Sequence, residues 1–105
     1  MKVEVLYFDG CPSYETAVIT LEGVLSEEGL DAEIELLSVA TDEEAEVLGF
    51  PGSPTIRVDG ADLFPEPERP NYALGCRTYI TPEGLRGSPT SQNIREALAK
   101  VQPRS

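Results

Sequence analysis

Histidine and tryptophan are absent from this sequence, and cysteine occurs only twice, as Cys11 and Cys76. A tetrahedral zinc site built from cysteine and histidine needs four such ligands, so it cannot be assembled here. Catalytic groups of the Ser/His/Asp or Cys/His type are excluded for the same reason, because each needs a histidine as its base. The sequence predicts neither a resident metal nor a cofactor.

Positive charge is also scarce, since eight Lys and Arg stand against 19 Asp and Glu, for a formal net charge of -11. A surface of this sign repels phosphate backbones and anionic lipids, so we expect no nucleic-acid and no membrane partner. No apolar run approaches the roughly 20 residues that a membrane-spanning helix needs. The first residues do not resemble a signal peptide, and we expect a cytoplasmic protein.

A chain of 105 residues with 40% hydrophobic content has room for one core, so we expect a single domain over residues 1–105. Residues 3–8 predict a buried strand, residues 12–28 an amphipathic helix, and residues 32–37 a second strand. A right-handed crossover makes these strands parallel and places the start of the helix beyond the carboxyl end of the first strand.

The remainder of the chain predicts a short helix, a tight hairpin, a proline-rich loop, a second hairpin and a last amphipathic helix, over residues 41–48, 55–64, 65–75, 77–87 and 89–101. The first hairpin turns at Asp59-Gly60, the strongest short hairpin signal in a sequence. The prolines at positions 65, 67 and 70 make the loop stiff and irregular.

Two motifs, in this order, resemble the thioredoxin superfamily. Residues 8–14, FDGCPSY, are similar to its C-x-x-C or C-x-x-S active-site turn, and residues 49–56, GFPGSPTI, are similar to its cis-proline loop. The resemblance covers about residues 2–64 and the last helix. It implies an α/β, thioredoxin-like fold with a central mixed sheet flanked by helices, interrupted by an inserted loop and hairpin before the last helix.

The sequence departs from that family at Tyr14, which stands where the resolving cysteine would be, so a C-x-x-C dithiol mechanism is excluded. A second cysteine lies instead in residues 75–79, GCRTY. In this respect the chain resembles small bacterial and archaeal thioredoxin-like proteins, some of which are labelled as related to organomercurial lyase.

Cys11 is the predicted nucleophile. At or just before the N-cap of the first helix, with Pro12 at the first helical position, its sulfur faces unpaired N–H groups that favour the thiolate. The Ser13 hydroxyl is a predicted donor to this thiolate, whereas Asp9 and Glu15 oppose the added negative charge. The alternative is a buried, unreactive cysteine that serves as a small hydrophobe.

The resemblance implies a cis bond between Ser53 and Pro54, where the alternative is an ordinary turn proline. A cis bond would turn the carbonyl and amide of Ser53 outward beside Cys11, ready to pair with an extended peptide or a glutathione-like substrate. Tyr14 lies one helical turn from Cys11 and could donate its hydroxyl to a substrate, although packing at the helix edge is the stronger interpretation.

Cys76 has two predicted placements. If the loop after residue 64 starts on the Cys11 side, Cys76 lies within bridging reach of Cys11, and a disulfide would stabilise the fold by about 4 kcal/mol. If Arg77 to Ile80 pair with the third strand instead, Cys76 lies at the far end of that strand.

Three functions follow. The leading one is thiol-disulfide exchange, in which Cys11 attacks a disulfide and either Cys76 or an external thiol, small or protein-borne, resolves the adduct. The second is the handling of a soft metal or an organomercurial by two thiolates, with an acid such as Asp9 protonating the leaving carbon. The third is a non-catalytic binding module.

Overall fold

Three helices and six strands make up the part of the chain that the computed structural model describes, residues 2–11, 13–64 and 77–101. They are, in chain order, β1 (Lys2–Tyr7), α1 (Tyr14–Glu27), β2 (Glu33–Ser38), α2 (Asp42–Leu48), β3 (Thr55–Val58), β4 (Ala61–Asp62), β5 (Tyr79–Thr81), β6 (Gly84–Arg86) and α3 (Ser91–Val101). The types and the order of these elements are those that the sequence predicts.

Four strands form one mixed sheet in the order β2-β1-β3-β4. β2 runs parallel to β1, as a β-α-β crossover requires. β3 runs antiparallel to β1 and pairs Thr55 with Leu6, and β4 runs antiparallel to β3. The predicted α/β class with a central mixed sheet is confirmed.

The alternation of side chains along β1 divides the core into two layers. Val3 and Val5 pack with buried residues of α1 and α3, including Leu21 and Ile94. Leu6 points to the opposite face and packs in a second cluster, with Val39, Ala45 and Phe50. Each fully buried aliphatic side chain contributes roughly 1.5–3 kcal/mol, so β1 is held from both faces and fixes the position of the turn that follows it.

The short helix α2 has clear signals at both ends. The Thr41 hydroxyl accepts a hydrogen bond from the Glu44 backbone N–H at 3.1 Å, which caps the amino-terminal end. Gly49 follows with φ 65°, a left-handed conformation that glycine adopts without steric cost.

The first hairpin turns at Asp59 and Gly60, with φ 52° and 90°, as the sequence predicts. The prediction that its second strand extends over residues 61–64 is wrong, because β4 ends at Asp62. The Asp62 carboxylate accepts a hydrogen bond from the Phe64 backbone N–H at 2.9 Å and turns the chain out of the strand.

β5 and β6 pair only with each other in the part of the chain that the structure describes, as a separate two-stranded sheet. The alternative in which residues 77–80 pair with the third strand is therefore wrong. α3 follows, and a reciprocal pair of hydrogen bonds between Thr90 and Asn93 caps its start. Among the described residues, no helix combines the length and the apolarity needed to cross a bilayer.

Candidate functional site

Cys11 lies in the connection between β1 and α1. The chain turns at residues 8–11, where Gly10 has φ 96° and the Cys11 backbone N–H donates to the carbonyl oxygen of Phe8 at 3.1 Å. Cys11 is a free thiol, and only 4% of the residue is exposed. The predicted position of Cys11 after the first strand is confirmed. The residue is more deeply buried than expected for a nucleophile that must meet its substrate.

α1 starts later than predicted. Its N-cap is Ser13, whose carbonyl oxygen accepts the first helical hydrogen bond from Ala17 at 3.1 Å. Cys11 thus lies two residues before the N-cap, and the prediction that it stands at or next to the N-cap is wrong. The turn at residues 8–11 uses its own hydrogen bond and delays the helix, so the helix dipole acts on the sulfur from farther away. Pro12 lies outside the described residues.

Ser13 does not cap α1 with its side chain. The Ser13 hydroxyl instead lies against Gly87, so closely that a side chain at position 87 would displace it. Gly87 follows β6, and this contact brings the second hairpin to the start of α1. The prediction that Ser13 donates to the Cys11 thiolate stays a prediction.

The bond between Ser53 and Pro54 is cis, as the resemblance implied. We call residues 51–54 the proline loop. Both Ser53 and Pro54 are almost completely buried. The Thr55 hydroxyl donates to the carbonyl oxygen of Gly52 at 2.5 Å and holds the loop at the start of β3.

The described part of the inserted segment, residues 77–87, which we call the insertion, occupies the carbonyl groups of the proline loop. The Arg77 backbone N–H donates to the carbonyl oxygen of Ser53 at 2.9 Å, and the Tyr79 hydroxyl donates to that of Pro54. The expectation that the Ser53 carbonyl faces outward for a substrate is therefore wrong. Both carbonyl oxygens thus have hydrogen-bond donors within the protein's own chain.

Arg77 is the residue that sequence reasoning missed. Only 3% of it is exposed, and its guanidinium lies 3.0 Å from the Asp62 carboxylate and 3.2 Å from the Thr55 hydroxyl. It also donates to the carbonyl oxygen of Phe64 and lies 4.9 Å from the centre of the Tyr79 ring. A buried charge is tolerated only when it is paired in this way. The sole signal in the sequence was an arginine within an otherwise strand-like stretch.

Gly52 makes the close approach of Arg77 possible. Its φ is 146°, and a Cβ at this position would lie 2.9 Å from the Cβ and 3.3 Å from the Cα of Arg77. Only glycine fits such a contact between two backbones. The hydroxyl of the adjacent Ser53 is buried and has no hydrogen-bond partner among the described residues.

Tyr14 packs at the start of α1, as the sequence favoured, and the donation of its hydroxyl to a substrate stays a prediction. Its ring stacks on that of Tyr7, with 4.1 Å between the ring centres and 13° between the planes. Loss of hydration raises the pKa of Tyr14 above its ordinary value of 10.0, and the charge of Glu15 raises it further. Charges on Asp9 and Cys11 act in the same direction. Tyr14 is therefore a neutral phenol at physiological pH, close to the charges around Cys11.

A shallow apolar groove begins at Tyr14. It has a volume of about 410 Å³ and is lined further by Glu15, Val18, Ile19 and Leu36. Ile19 is 69% exposed and Leu36 48%. Asp9, in the turn before Cys11, is exposed. The groove therefore combines apolar side chains with one carboxylate, that of Glu15.

Cys76 lies outside the described residues, so its predicted proximity to Cys11 stays a prediction. Among the residues that the structure does describe, no group of three or more His, Cys, Asp or Glu side chains is arranged to hold a metal ion.

Comparison of the chain with protein-family models, with curated proteins and with solved structures found no match in any of the three.

Proposed function

We propose that this chain is a thioredoxin-like thiol-disulfide exchange protein whose nucleophile is Cys11. The sheet order β2-β1-β3-β4, with β3 antiparallel to its neighbours, and helices on both faces of the sheet support a thioredoxin-like arrangement. The proposed compartment is the cytoplasm, where reducing thiols keep cysteines in the free form that a nucleophile requires.

One observation carries this proposal. Thr55 pairs with Leu6 across antiparallel strands, so the chain leaving β1 and the chain entering β3 lie at the same edge of the sheet. Cys11 follows the first of these strands and Pro54 precedes the second. The thiol and the proline loop therefore belong to one site, although they are 43 residues apart in a chain of 105 residues (54 − 11 = 43).

In the proposed reaction, the Cys11 thiolate attacks one sulfur of a disulfide and forms a mixed disulfide, and the other sulfur leaves as a thiolate that takes up a proton. If an external thiol resolves the adduct, it attacks the substrate sulfur of the mixed disulfide and frees Cys11, and a second thiol then displaces the remaining substrate half, so that one disulfide is reduced while two thiols are oxidised. If Cys76, the proposed internal candidate, resolves it, its thiolate attacks the Cys11 sulfur, the substrate half leaves as a thiol, and two small-molecule thiols then reduce the Cys11–Cys76 disulfide.

The burial of Cys11 favours one alternative, a non-catalytic binding module in which the thiol fills space. Turnover of bis(2-hydroxyethyl) disulfide in the presence of excess thiol separates the two functions. We expect turnover by the wild-type protein and its loss in Cys11→Ser. Loss in Cys76→Ser as well would assign the resolving step to Cys76, and retained turnover would assign it to the external thiol.

Absence of turnover in the wild-type protein would contradict the proposal. Stoichiometric binding of Hg²⁺ by both thiols in that case would favour the soft-metal function instead, because a linear two-coordinate ion needs two thiolates. If Cys11 is unreactive and binds no mercury, the non-catalytic binding module is the function that remains.

A further inference from the structure

We infer that the insertion blocks extended polypeptides from the proline loop, so that the disulfides with which this protein reacts are small molecules. This inference rests on the proposed function and names its substrate class. It follows from three contacts between the insertion and the site, none of which depends on the reactivity of Cys11.

The first contact is the bond from the Arg77 N–H to the Ser53 carbonyl oxygen at 2.9 Å. An extended peptide that binds a loop or strand edge gains its affinity from backbone hydrogen bonds, so it would need this carbonyl as its acceptor. The Cα and N of Arg77 lie only 3.3 Å from the position of a Cβ on Gly52. The backbone of the insertion is in direct contact with the loop, and no second strand fits between them.

The second contact is the bond from the Tyr79 hydroxyl to the carbonyl oxygen of Pro54. With it, the insertion occupies two consecutive carbonyl groups of the proline loop. The third contact is that of Gly87 with the Ser13 side chain at the start of α1. One end of the insertion therefore lies against the proline loop, and the other lies against the start of α1. In the proposed site these are the two segments next to Cys11.

The insertion is anchored too firmly to be displaced by a weakly binding peptide. The Arg77 guanidinium is buried and ion-paired with Asp62, so removing it would leave a carboxylate without its partner. The ring of Tyr79 packs edge-on against that of Phe64, with 5.2 Å between the centres. A small disulfide needs none of these groups, since its reaction requires only collinear access to the Cys11 sulfur.

The balanced reaction is that of the proposed function with a small disulfide as the oxidant. Cys11 forms a bond to one sulfur, the sulfur-sulfur bond breaks, and the released half takes a proton. Two molecules of a small thiol supply the electrons: the first attacks the substrate sulfur of the mixed disulfide and releases Cys11, and the second attacks the disulfide so formed, which releases the remaining half of the substrate as a thiol and joins the two small thiols in a disulfide.

The test compares the rate at which Cys11 forms a mixed disulfide with bis(2-hydroxyethyl) disulfide and with the interchain disulfides of insulin. We expect the wild-type protein to react at least about 100-fold more slowly with insulin, the loss expected from two missing backbone hydrogen bonds. Arg77→Ala should bring the rate with insulin closer to the rate with the small disulfide. Tyr79→Phe removes a single hydroxyl and keeps the packing of the ring, so it should bring the two rates together by less. Arg95→Ala, which removes an exposed ion pair on α3, is the matched control and should leave the ratio unchanged.

Equal rates with insulin and the small disulfide in the wild-type protein would overturn the inference and leave the proposed function standing. Reaction with neither would overturn the proposed function. A binding measurement separates the two further: Cys11→Ser protein is titrated with an extended, reduced insulin chain and followed by the amide resonances of Ser53, Thr55 and Arg77. We expect no shift, and saturable shifts would overturn the blocked-site inference whatever the reactivity of Cys11.

Discussion

The backbone N–H of Arg77 donates to the carbonyl oxygen of Ser53 at 2.9 Å, and this bond joins the insertion to the proline loop. It connects two segments that lie on opposite sides of the first hairpin in the sequence. The surrounding contacts depend on a single glycine, a single buried arginine and a tyrosine hydroxyl. Each can be changed separately.

Gly52→Ala should destabilise the protein by roughly 1–3 kcal/mol, because the added methyl group collides with Arg77 and the φ of 146° disfavours alanine. Denaturant unfolding measures the loss. The matched control is Gly23→Ala in α1, where a Cβ meets nothing within 4 Å and the helix gains up to about 1 kcal/mol. Equal stability of Gly52→Ala and the wild type would contradict the close contact.

Arg77→Ala should lower the free energy of unfolding by about 3 kcal/mol, since it leaves the largely buried Asp62 without its partner. Arg95→Ala removes an ion pair whose side chains are 43% and 66% exposed, so its effect should stay below about 1 kcal/mol. The same unfolding experiment compares them. If both substitutions lower the free energy of unfolding by the same amount, Arg77 does not anchor the insertion.

The sequence predicted the elements around β1 well because their signals are local. The Asp59-Gly60 turn, the Thr41 cap and the apolar face of α1 each depend on residues within a few positions of one another. The cis bond at Pro54 was implied by the resemblance to the thioredoxin superfamily, and the shared sheet edge of Cys11 and the proline loop followed from strand direction.

The role of the insertion could not be predicted, because it depends on contacts between distant segments. The bond between Arg77 and Ser53, and the pairing of Arg77 with Asp62, join residues 24 and 15 positions apart (77 − 53 = 24; 77 − 62 = 15). No periodicity in the sequence encodes them. The start of α1 was misplaced for a different reason, since Pro12 is a strong signal for a first helical position, yet Ser13 accepts the first helical bond.

The rate at which Cys11 reacts with a small disulfide should depend on the charge of that disulfide. Asp9 and Glu15 lie close to Cys11 in the sequence of a chain of net charge -11, so cystamine, which is cationic, should react faster than oxidised glutathione, which is anionic. The difference should shrink as salt is added, because screening weakens the interaction. Glu15→Gln should reduce it, whereas Glu96→Gln on α3 serves as the control. A ratio that does not depend on salt would contradict this account.

Tyr14 provides a pH-dependent signature of the packing around the site. Its pKa in the folded protein is raised above 10.0, first by loss of hydration and then by Glu15. The neutral phenol is thus favoured by folding, and the stability it contributes is present below pH 10.0 and lost as the pH rises through the folded pKa. The ultraviolet titration curve of Tyr14→Phe is subtracted from that of the wild type to isolate Tyr14. The difference curve should have a midpoint above 10.0, and a midpoint at or below 10.0 would contradict the raised pKa.

The most direct test of the central claim, that Cys11 is a working nucleophile, is its rate of reaction with a small neutral disulfide in the native protein. Reaction is followed by intact mass, and the modified cysteine is located by peptide mapping, with Cys76→Ser as the background. We predict a mixed disulfide at Cys11 at neutral pH, formed at least as fast as with the same protein unfolded in denaturant. If Cys11 reacts only after unfolding, its 4% exposure reflects an inert core cysteine, and the claim fails.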